Sequence, residues 1–234
     1  MAIIRFSDEE VFETDSQEYN ILQNGAAAVK DVPGAAVEIG TRRGGSAKMI
    51  IDAIKDGIPN RPMFCIDPYG NIEIKITNIN LTHHFQVPAD QLVGDPLSKE
   101  IGYNAKLPGW YDNNMRNRII PSLYYYAYQN NINFHFFCLE DTEFFNRYSD
   151  GVPIYQEYKQ ICNEYAFVFF DGPHDNESME NEVKFFLART VVGSVFVFDD
   201  VWMYSHDLIH NYLLSNGWEV IEQGSVKISY RRTQ

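Results

Sequence analysis

The stretch VEIGTRRGGS, residues 37–46, decides the fold of this chain. It follows a short apolar run that begins at Ala35 and leads into an apolar-periodic stretch, residues 47–54. This order predicts a strand, a tight glycine turn and a helix. Such a turn lets the backbone approach a ligand closely and directs the N–H groups of the helix N-terminus at it.

The acid inside this motif separates it from a dinucleotide-binding turn. Those turns read Gly-x-Gly-x-x-Gly, and their acid follows about 20 residues later. Here Glu38 lies two residues before Gly40, and Arg42 fills the second-glycine position. Glu38 is poorly placed for a pyrophosphate and well placed to accept from a cationic amino-acid ligand. A glycine turn that only connects strand and helix, with a solvated Glu38, remains the alternative.

Composition limits the class of protein and its partners. The 234 residues fit one domain with a sizeable core, and 45% hydrophobic with 22% charged residues is ordinary for a globular protein. A net charge of −13 argues against nonspecific binding to nucleic acid or to an anionic membrane. We therefore expect neither nucleic acid nor membrane as a partner.

Cysteine usage and the N-terminus bear on location. Cys65, Cys138 and Cys162 lie far apart and have no metal-ligand spacing, which fits free thiols in a reducing compartment. No apolar run reaches 18 residues, and the first ten residues lack the basic and then apolar pattern of a signal peptide. We expect a cytoplasmic protein.

Buried strands alternate with helical patterns along the chain. The strands are expected at residues 35–39, 62–66, 134–139, 166–170 and 194–198, and a terminal hairpin at 218–221 and 226–230. Helices are expected at 16–30, with Ser16 as cap, at 47–56, at 114–130, with Pro121 as a possible break, and at 152–163, 177–189 and 207–215. This order predicts an α/β sandwich with a mostly parallel sheet.

One segment does not fit the alternation. Residues 71 to about 112 show no clean periodicity and contain several prolines and glycines. The segment is too long for a plain connection. We predict a single domain over residues 1–234 in which 71–130 is an insertion that binds substrate or closes as a lid.

Acids follow every strand of the predicted parallel sheet, at the edge where such sheets bind ligands. Asp67 follows the second strand, where a carboxylate can accept from both ribose hydroxyls of an adenosine, or can be a solvated turn acid. Asp141 and Thr142 follow the third strand, where the acid can accept from an adenine amino group. As a helix cap, the same residues would need no ligand.

Three further carboxylates, Asp171, Asp199 and Asp200, are expected at two neighbouring strand ends. Like charges so close repel each other unless a cation or a proton lies between them. Oxygen ligands suit Mg²⁺ or Ca²⁺, with waters or substrate oxygens completing the shell. The alternative is that Asp171 contacts the amino-acid part of the ligand while Asp199 and Asp200 cap the next helix.

Taken in order, these motifs resemble those of the class I S-adenosylmethionine-dependent methyltransferases. Within them the chain resembles the metal-dependent sugar O-methyltransferases of macrolide and aminocoumarin biosynthesis, the macrocin O-methyltransferase-like branch. The matching motifs are Glu38-Ile39-Gly40 with Gly44-Gly45-Ser46, Cys65-Ile66-Asp67-Pro68, Asp141-Thr142, and Asp171 followed 28 and 29 residues later by Asp199 and Asp200.

The resemblance implies a Rossmann-like three-layer sandwich with a seven-stranded sheet and a C-terminal antiparallel hairpin. It implies S-adenosylmethionine as cofactor and Mg²⁺ held by Asp171, Asp199 and Asp200. The metal would bind two adjacent substrate hydroxyls and acidify one of them. The cofactor would be bound by Glu38, Gly40, Thr41, Arg42, Gly44, Ser46, Asp67, Asp141, Thr142 and Asp171.

One departure concerns the catalytic base. The family often reads Asp-Gly-Asp-His after the fourth strand, and here Pro173 replaces the second Asp. If a base is needed, His174 or Asp175 must serve beside Asp171, or the acidity of a metal-bound hydroxyl suffices.

We therefore expect an O-methyltransferase for a hydroxyl of a small molecule, sugar or glycoconjugate, and the sequence leaves a homo-oligomer open. Alternatives are a metal-independent methyltransferase acting on another nucleophile, and an inert module that binds the cofactor. A nicotinamide-dependent oxidoreductase is disfavoured by Glu38 and Arg42 in the glycine motif.

Overall fold

The computed structural model describes residues 12–14, 16–69, 71–78, 81–88 and 113–234. The helices are α1 (Tyr19–Ala28), α2 (Gly45–Ile54), α3 (Asn113–Gln129), α4 (Asp141–Arg147), α5 (Asn176–Leu187) and α6 (His206–Ser215). The strands are β1 (Ala35–Ile39), β2 (Pro62–Ile66), β3 (Asn71–Asn78), β4 (Leu81–Pro88), β5 (Asn133–Phe137), β6 (Val152–Tyr155), β7 (Lys159–Cys162), β8 (Tyr165–Phe170), β9 (Thr190–Phe198), β10 (Trp218–Gln223) and β11 (Ile228–Arg232).

Seven strands form the central sheet, in the order β10-β11-β9-β8-β1-β2-β5. Neighbouring strands pair in parallel across β9, β8, β1, β2 and β5. Strand β11 pairs antiparallel with β9, and β10 pairs antiparallel with β11. The predicted mostly parallel sheet with a terminal hairpin is confirmed. Because β1 lies between β2 and β8, its carboxyl end is at the middle of the ligand-binding edge.

Helices cover both faces of this sheet, which gives three layers. Helices α1, α2 and α3 pack on one face, and α4, α5 and α6 pack on the other. Strand β8 is buried along its whole length, so its run of aromatic and aliphatic side chains fills both cores. Each such large apolar side chain contributes about 1.5–3 kcal/mol relative to leaving it exposed.

Two predicted helices differ from the structure. Helix α1 begins at Tyr19, because Ser16 does not cap it; the hydroxyl of Ser16 donates instead to Asp199, 2.9 Å away. The helix predicted at 152–163 is wrong, since this segment forms the antiparallel hairpin β6–β7. Val152 and Ile154 are buried while their neighbours are less so, which is the two-residue period of a strand.

The predicted insertion, 71–130, contains two kinds of structure. Strands β3 and β4 pair as an antiparallel hairpin, whereas α3 belongs to the sandwich. Met115, Ile119 and Leu123 of α3 are buried in the core, and Pro121 lies inside the helix without ending it. Residues 79–80 and 89–112 lie outside the described residues.

Two properties of the chain bear on the composition argument. The cysteines, all of them described, are free thiols, with Cys65 buried and Cys138 exposed. Among the described residues, none of the helices combines the length and apolar character that crossing a bilayer requires.

Candidate functional site

Glu38 is a fully buried carboxyl group at the end of β1. Its Oε2 accepts from the thiol of Cys65 on the neighbouring strand, 3.3 Å away. Oε1 makes no hydrogen bond of ordinary geometry to a described residue. Burial raises the pKa of Glu38 to about 7, against the opposing effect of the Ser46 hydroxyl. The alternative of a solvated Glu38 is therefore wrong, and a cationic ligand would stabilise its ionised form.

Gly40 lets the turn after β1 touch the turn after β8. Its φ is +87°, and a Cβ atom added there would lie 2.0 Å from the carbonyl oxygen of Asp171. Any other residue would therefore be strained and would also push the two turns apart. Gly40 thus brings the glycine turn and the Asp171 strand end to one place.

Asp67 organises the glycine turn from the end of β2. Its Oδ2 accepts from the backbone N–H groups of Thr41 and Arg42, at 3.0 and 2.9 Å, and its Oδ1 accepts from that of Tyr69 at 3.0 Å. Asp67 is buried, so it is not a solvated turn acid. Burial raises its pKa to about 6, while these backbone hydrogen bonds oppose the shift.

The N-terminus of α2 follows this turn and is covered by the N-terminal segment of the chain. Gly44 has φ +73° and forms an isolated bridge with Glu13. A Cβ atom on Gly45 would lie 2.4 Å from the carbonyl oxygen of Glu13. Arg43 forms an ion pair with the same Glu13. Arg42 is buried, and its carbonyl accepts from the hydroxyl of Tyr69.

Asp141 is the first residue of α4, the helix that follows β5. Its Oδ1 accepts from the N–H of Thr142 at 2.8 Å, whereas the capping box of this helix is formed by Glu140 and Glu143. Asp141 is buried, and its carboxyl lies within hydrogen-bonding reach of Glu182 on α5. Burial raises the pKa of Asp141. Asp141 therefore occupies the expected strand end and is not needed as the helix cap.

His174 lies between two of the expected carboxylates. Its Nε2 is 3.8 Å from Oδ1 of Asp171, and its Nδ1 is 4.0 Å from Oδ2 of Asp200. The ring of Tyr204 is nearly parallel to that of His174, with centroids 6.4 Å apart. Asp171 and Asp200 are partly exposed and accessible to an acceptor, whereas the His174 side chain is only 9% exposed and its Nε2 is buried.

Asp199 is fully buried beside an ammonium group. Its Oδ1 accepts from Nζ of Lys227 at 2.7 Å and from the N–H of Asp200 at 2.8 Å. Lys227 is itself fully buried, and Tyr19 presents its ring face to the ammonium, 4.4 Å from Nζ. Ser205 directly precedes α6, so the alternative that Asp199 and Asp200 cap the next helix is wrong.

Asp175 has a structural position. It precedes α5, and its Oδ1 accepts from the N–H groups of Glu177 and Ser178 at 3.0 and 3.1 Å. Its Oδ2 accepts from the hydroxyl of Ser178 at 2.8 Å. This is an N-cap with both oxygens engaged, which favours His174 over Asp175 as the candidate base.

The fit of these residues to Mg²⁺ depends on the donor set. Asp171, Asp199 and Asp200 lie at the ends of the neighbouring strands β8 and β9, and Oδ2 of Asp199 is buried with no partner among the described residues. Carboxylate oxygens of this kind suit Mg²⁺. In their present positions, however, no three described His, Cys, Asp or Glu side chains lie close enough together to hold a metal ion.

Two residues of the site, Lys227 and Glu182, lie in none of the motifs identified in the sequence. Lys227 is far from every motif, and Glu182 reads as one more acid of an amphipathic helix. Both are fully buried beside site acids, Asp199 and Asp141. A charged residue at a core-facing helical position was the one available hint for Glu182.

A family model described as a methyltransferase domain matches residues 37–201, more than half of the chain. The chain belongs to this methyltransferase family, which confirms the expected enzyme class, an S-adenosylmethionine-dependent methyltransferase. The match spans the glycine turn and all the strand-end acids described above. A search of curated protein sequences found no match.

Solved structures with the same fold are distant in sequence. The calicheamicin methyltransferase CalS11 aligns with a TM-score of 0.55 at 14% identity, over 90% of this chain and 76% of its own. The O-methyltransferase NovP aligns with a TM-score of 0.54 at 18% identity, over 91% and 79%. The O-methyltransferase TomG from Streptomyces achromogenes, in complex with SAM, aligns with a TM-score of 0.54 at 11% identity, over 95% and 82%.

Proposed function

We propose that this methyltransferase is an O-methyltransferase for a hydroxyl of a sugar or glycoconjugate. The observation that carries the proposal is the contact between two turns at Gly40 and Asp171. It places a buried set of acids suited to S-adenosylmethionine next to an imidazole held between two accessible carboxylates.

In this proposal the cofactor lies across the ends of β1, β2 and β5. Glu38 would accept from the amino group of the methionine part, which supplies the cation that a buried carboxylate lacks. An ionised carboxylate has about four lone-pair sites, and on Asp67 three of them already accept from backbone N–H groups, which leaves one. Asp67 would then accept from one ribose hydroxyl, and Asp141 from the adenine amino group.

His174 is the proposed general base. Methyl transfer from a sulfonium depends on alignment of oxygen, methyl carbon and sulfur, and on removal of one proton. When bound, S-adenosylmethionine would supply the methyl group to the acceptor oxygen and leave as S-adenosylhomocysteine, and His174 would accept the hydroxyl proton. In the absence of a metal ion, Asp171 and Asp200, 3.8 and 4.0 Å from the ring nitrogens, would stabilise the resulting imidazolium.

Magnesium assistance is part of the proposal. Asp171, Asp200 and Oδ2 of Asp199 are the groups that would hold the ion. When bound, it would lower the pKa of an acceptor hydroxyl.

One observation favours a second candidate, a methyltransferase that uses no metal. The ammonium of Lys227 already compensates the charge of Asp199, at 2.7 Å within a fully buried pair. Turnover that persists in excess chelator would favour this second candidate over the magnesium-assisted one.

The sugar acceptor rests on two supports. CalS11 is described as a TDP-rhamnose 3'-O-methyltransferase, and its apo structure shares this fold at 13% identity with a TM-score of 0.51. Trp202, two residues after Asp200, is 67% exposed, and an exposed indole offers a flat apolar face to the C–H side of a sugar ring. We propose that the part of the 71–130 insertion that precedes α3, residues 71–112, completes the acceptor pocket within a single domain.

The test is a turnover assay with S-adenosylmethionine and a panel of nucleotide sugars, glycosides and non-sugar catechols, with and without Mg²⁺ and chelator. We expect methylation of a vicinal-diol sugar, at a rate that Trp202→Ala lowers for sugars. Exclusive turnover of catechols would contradict the sugar acceptor. Binding of S-adenosylhomocysteine with no turnover of any acceptor would favour an inert cofactor-binding module.

A further inference from the structure

Glu182 is a buried acid that the proposed mechanism does not use. It lies on α5 with no exposed surface, and both of its carboxyl oxygens are buried with no hydrogen-bond partner among the described residues. The same is true of Oδ2 of Asp141. Two ionised carboxylates are acceptors only and cannot satisfy each other, but one added proton converts them into a donor–acceptor pair.

The surroundings of Glu182 favour that proton. Among the residues that the structure describes, the titratable groups that interact with Glu182 are the carboxyls of Asp141 and Asp175 and the phenol of Tyr204. No cation is among them, and Gly172 closes the other side, since a Cβ atom there would lie 3.4 Å from Oε1 of Glu182. Two carboxyls that share a dry site retain one proton because both cannot ionise.

We propose that Glu182 is a positioning residue that donates a hydrogen bond to Oδ2 of Asp141 and fixes Asp141 as an acceptor for the 6-amino group of the cofactor's adenine. This rests on the proposed function, in which Asp141 faces the adenine. The arrangement makes the site selective. A 6-oxo purine would place a carbonyl oxygen against the Asp141 carboxylate. Asp141 has no proton to donate to that oxygen, because the one proton of the pair is on Glu182.

Substitutions of Glu182 separate this role from packing. Glu182→Gln keeps an N–H donor toward Asp141, whereas Glu182→Met fills a similar volume without a donor. In the Met variant, burial beside Asp175 favours a proton on Asp141 itself, which can then donate to a 6-oxo group. Glu180→Gln, on the exposed side of the same helix, is the matched control.

The experiment is calorimetric titration with S-adenosylhomocysteine and with its 6-oxo analogue, S-inosylhomocysteine. We expect the wild type, Glu180→Gln and Glu182→Gln to prefer the adenosyl ligand by roughly 10–100-fold, the value of a hydrogen bond to a charged group. We expect Glu182→Met to prefer it by less than about threefold, on the scale where tenfold is 1.4 kcal/mol.

Infrared spectroscopy at neutral pH provides a second measurement if the Met variant does not fold. We expect the wild type to show the stretch of a buried protonated carboxyl that Glu182→Gln lacks. An unchanged band, or an equal loss of affinity for both ligands in Glu182→Met, would overturn the inference and leave the proposed function standing. Failure of the wild type to bind either ligand would overturn both.

Discussion

The two halves of the ligand-binding edge are built differently. In the cofactor half, Glu38, Asp67 and Asp141 are all buried, and Asp67 is already hydrogen-bonded to the turn that it supports. In the acceptor half, Asp171 and Asp200 are partly exposed and lie on either side of His174. The first half is formed before a ligand arrives, whereas the second presents accessible groups whose partner is the acceptor.

The two halves also differ in how the negative charge of their buried acids is compensated. In the cofactor half, burial raises the pKa values of Glu38 and Asp67, and the buried Arg42 opposes this shift only at Asp67. The acceptor half contains Lys227, which compensates the one fully buried acid, Asp199. The positive charge of the cofactor would therefore compensate the Glu38 carboxylate, as the ammonium of Lys227 compensates that of Asp199.

The largest effect is expected from removing that lysine. Lys227→Met leaves the Asp199 carboxylate buried and unpaired, which destabilises by about 3–5 kcal/mol. The double variant Lys227→Met/Asp199→Asn should recover most of this loss. Urea unfolding measures the free energy of unfolding of the single and the double variants. If the effects of the two substitutions simply add, the predicted stabilisation by the ion pair is wrong. Because Lys227 lies in the acceptor half, the affinity for S-adenosylhomocysteine should change by less than about threefold, well under 1 kcal/mol.

Gly40→Ala tests the contact that joins the halves. Backbone strain and a 2.0 Å clash with the Asp171 carbonyl should together destabilise by about 2–4 kcal/mol and weaken cofactor binding. Gly193→Ala is the control, because its φ of +93° is similar but its nearest neighbour is a side chain at 3.3 Å. Equal losses in the two alanine variants would mean that strain alone acts at Gly40.

Asp67→Asn tests the preformed turn. An amide has one acceptor oxygen and would direct its NH₂ group at a backbone N–H, so binding of S-adenosylhomocysteine should weaken by about 10–100-fold. Asp52→Asn is the control, a partly exposed acid of α2 that pairs with Lys48 and Lys55 and accepts from the hydroxyl of Tyr126 on α3. It should change the affinity by less than about twofold, since half-exposed ion pairs contribute little. Similar losses in both variants would contradict the role of Asp67.

The elements of the site differed in how well the sequence predicts them. Glu38 and Asp67 follow buried strands with clear apolar runs, and adjacent parallel strands must bring their carboxyl ends to one edge. Glu182 and Lys227 are defined by contacts across the fold, 41 and 28 residues from their partners, and no local pattern marks them. The β6–β7 hairpin was mistaken for a helix because its strands are four residues long, too short for periodicity to distinguish the two.

The pKa of Glu38 leads to the smallest and most informative effect. Its folded pKa of about 7 lies above the ordinary value of 4.5, so the native state binds more protons and stability falls as pH rises from 4.5 to 7. The shift of Asp67 ends near pH 6, so above that pH the difference between wild type and Glu38→Gln isolates Glu38. From pH 6 to pH 8, the free energy of unfolding of the wild type should fall by about 1.4 kcal/mol relative to that of Glu38→Gln. Urea unfolding at the two pH values measures this change.

The measurement that tests the central claim most directly is the affinity for S-adenosylhomocysteine at pH 6 and pH 8, in wild type and Glu38→Gln. If an ionised Glu38 pairs with the amino group of the cofactor, wild-type binding should tighten up to about tenfold over this interval, because one proton must leave. Glu38→Gln should bind more weakly and show no such dependence. Wild-type affinity that is independent of pH, or a Gln variant that binds as tightly as the wild type at pH 8, would contradict the account.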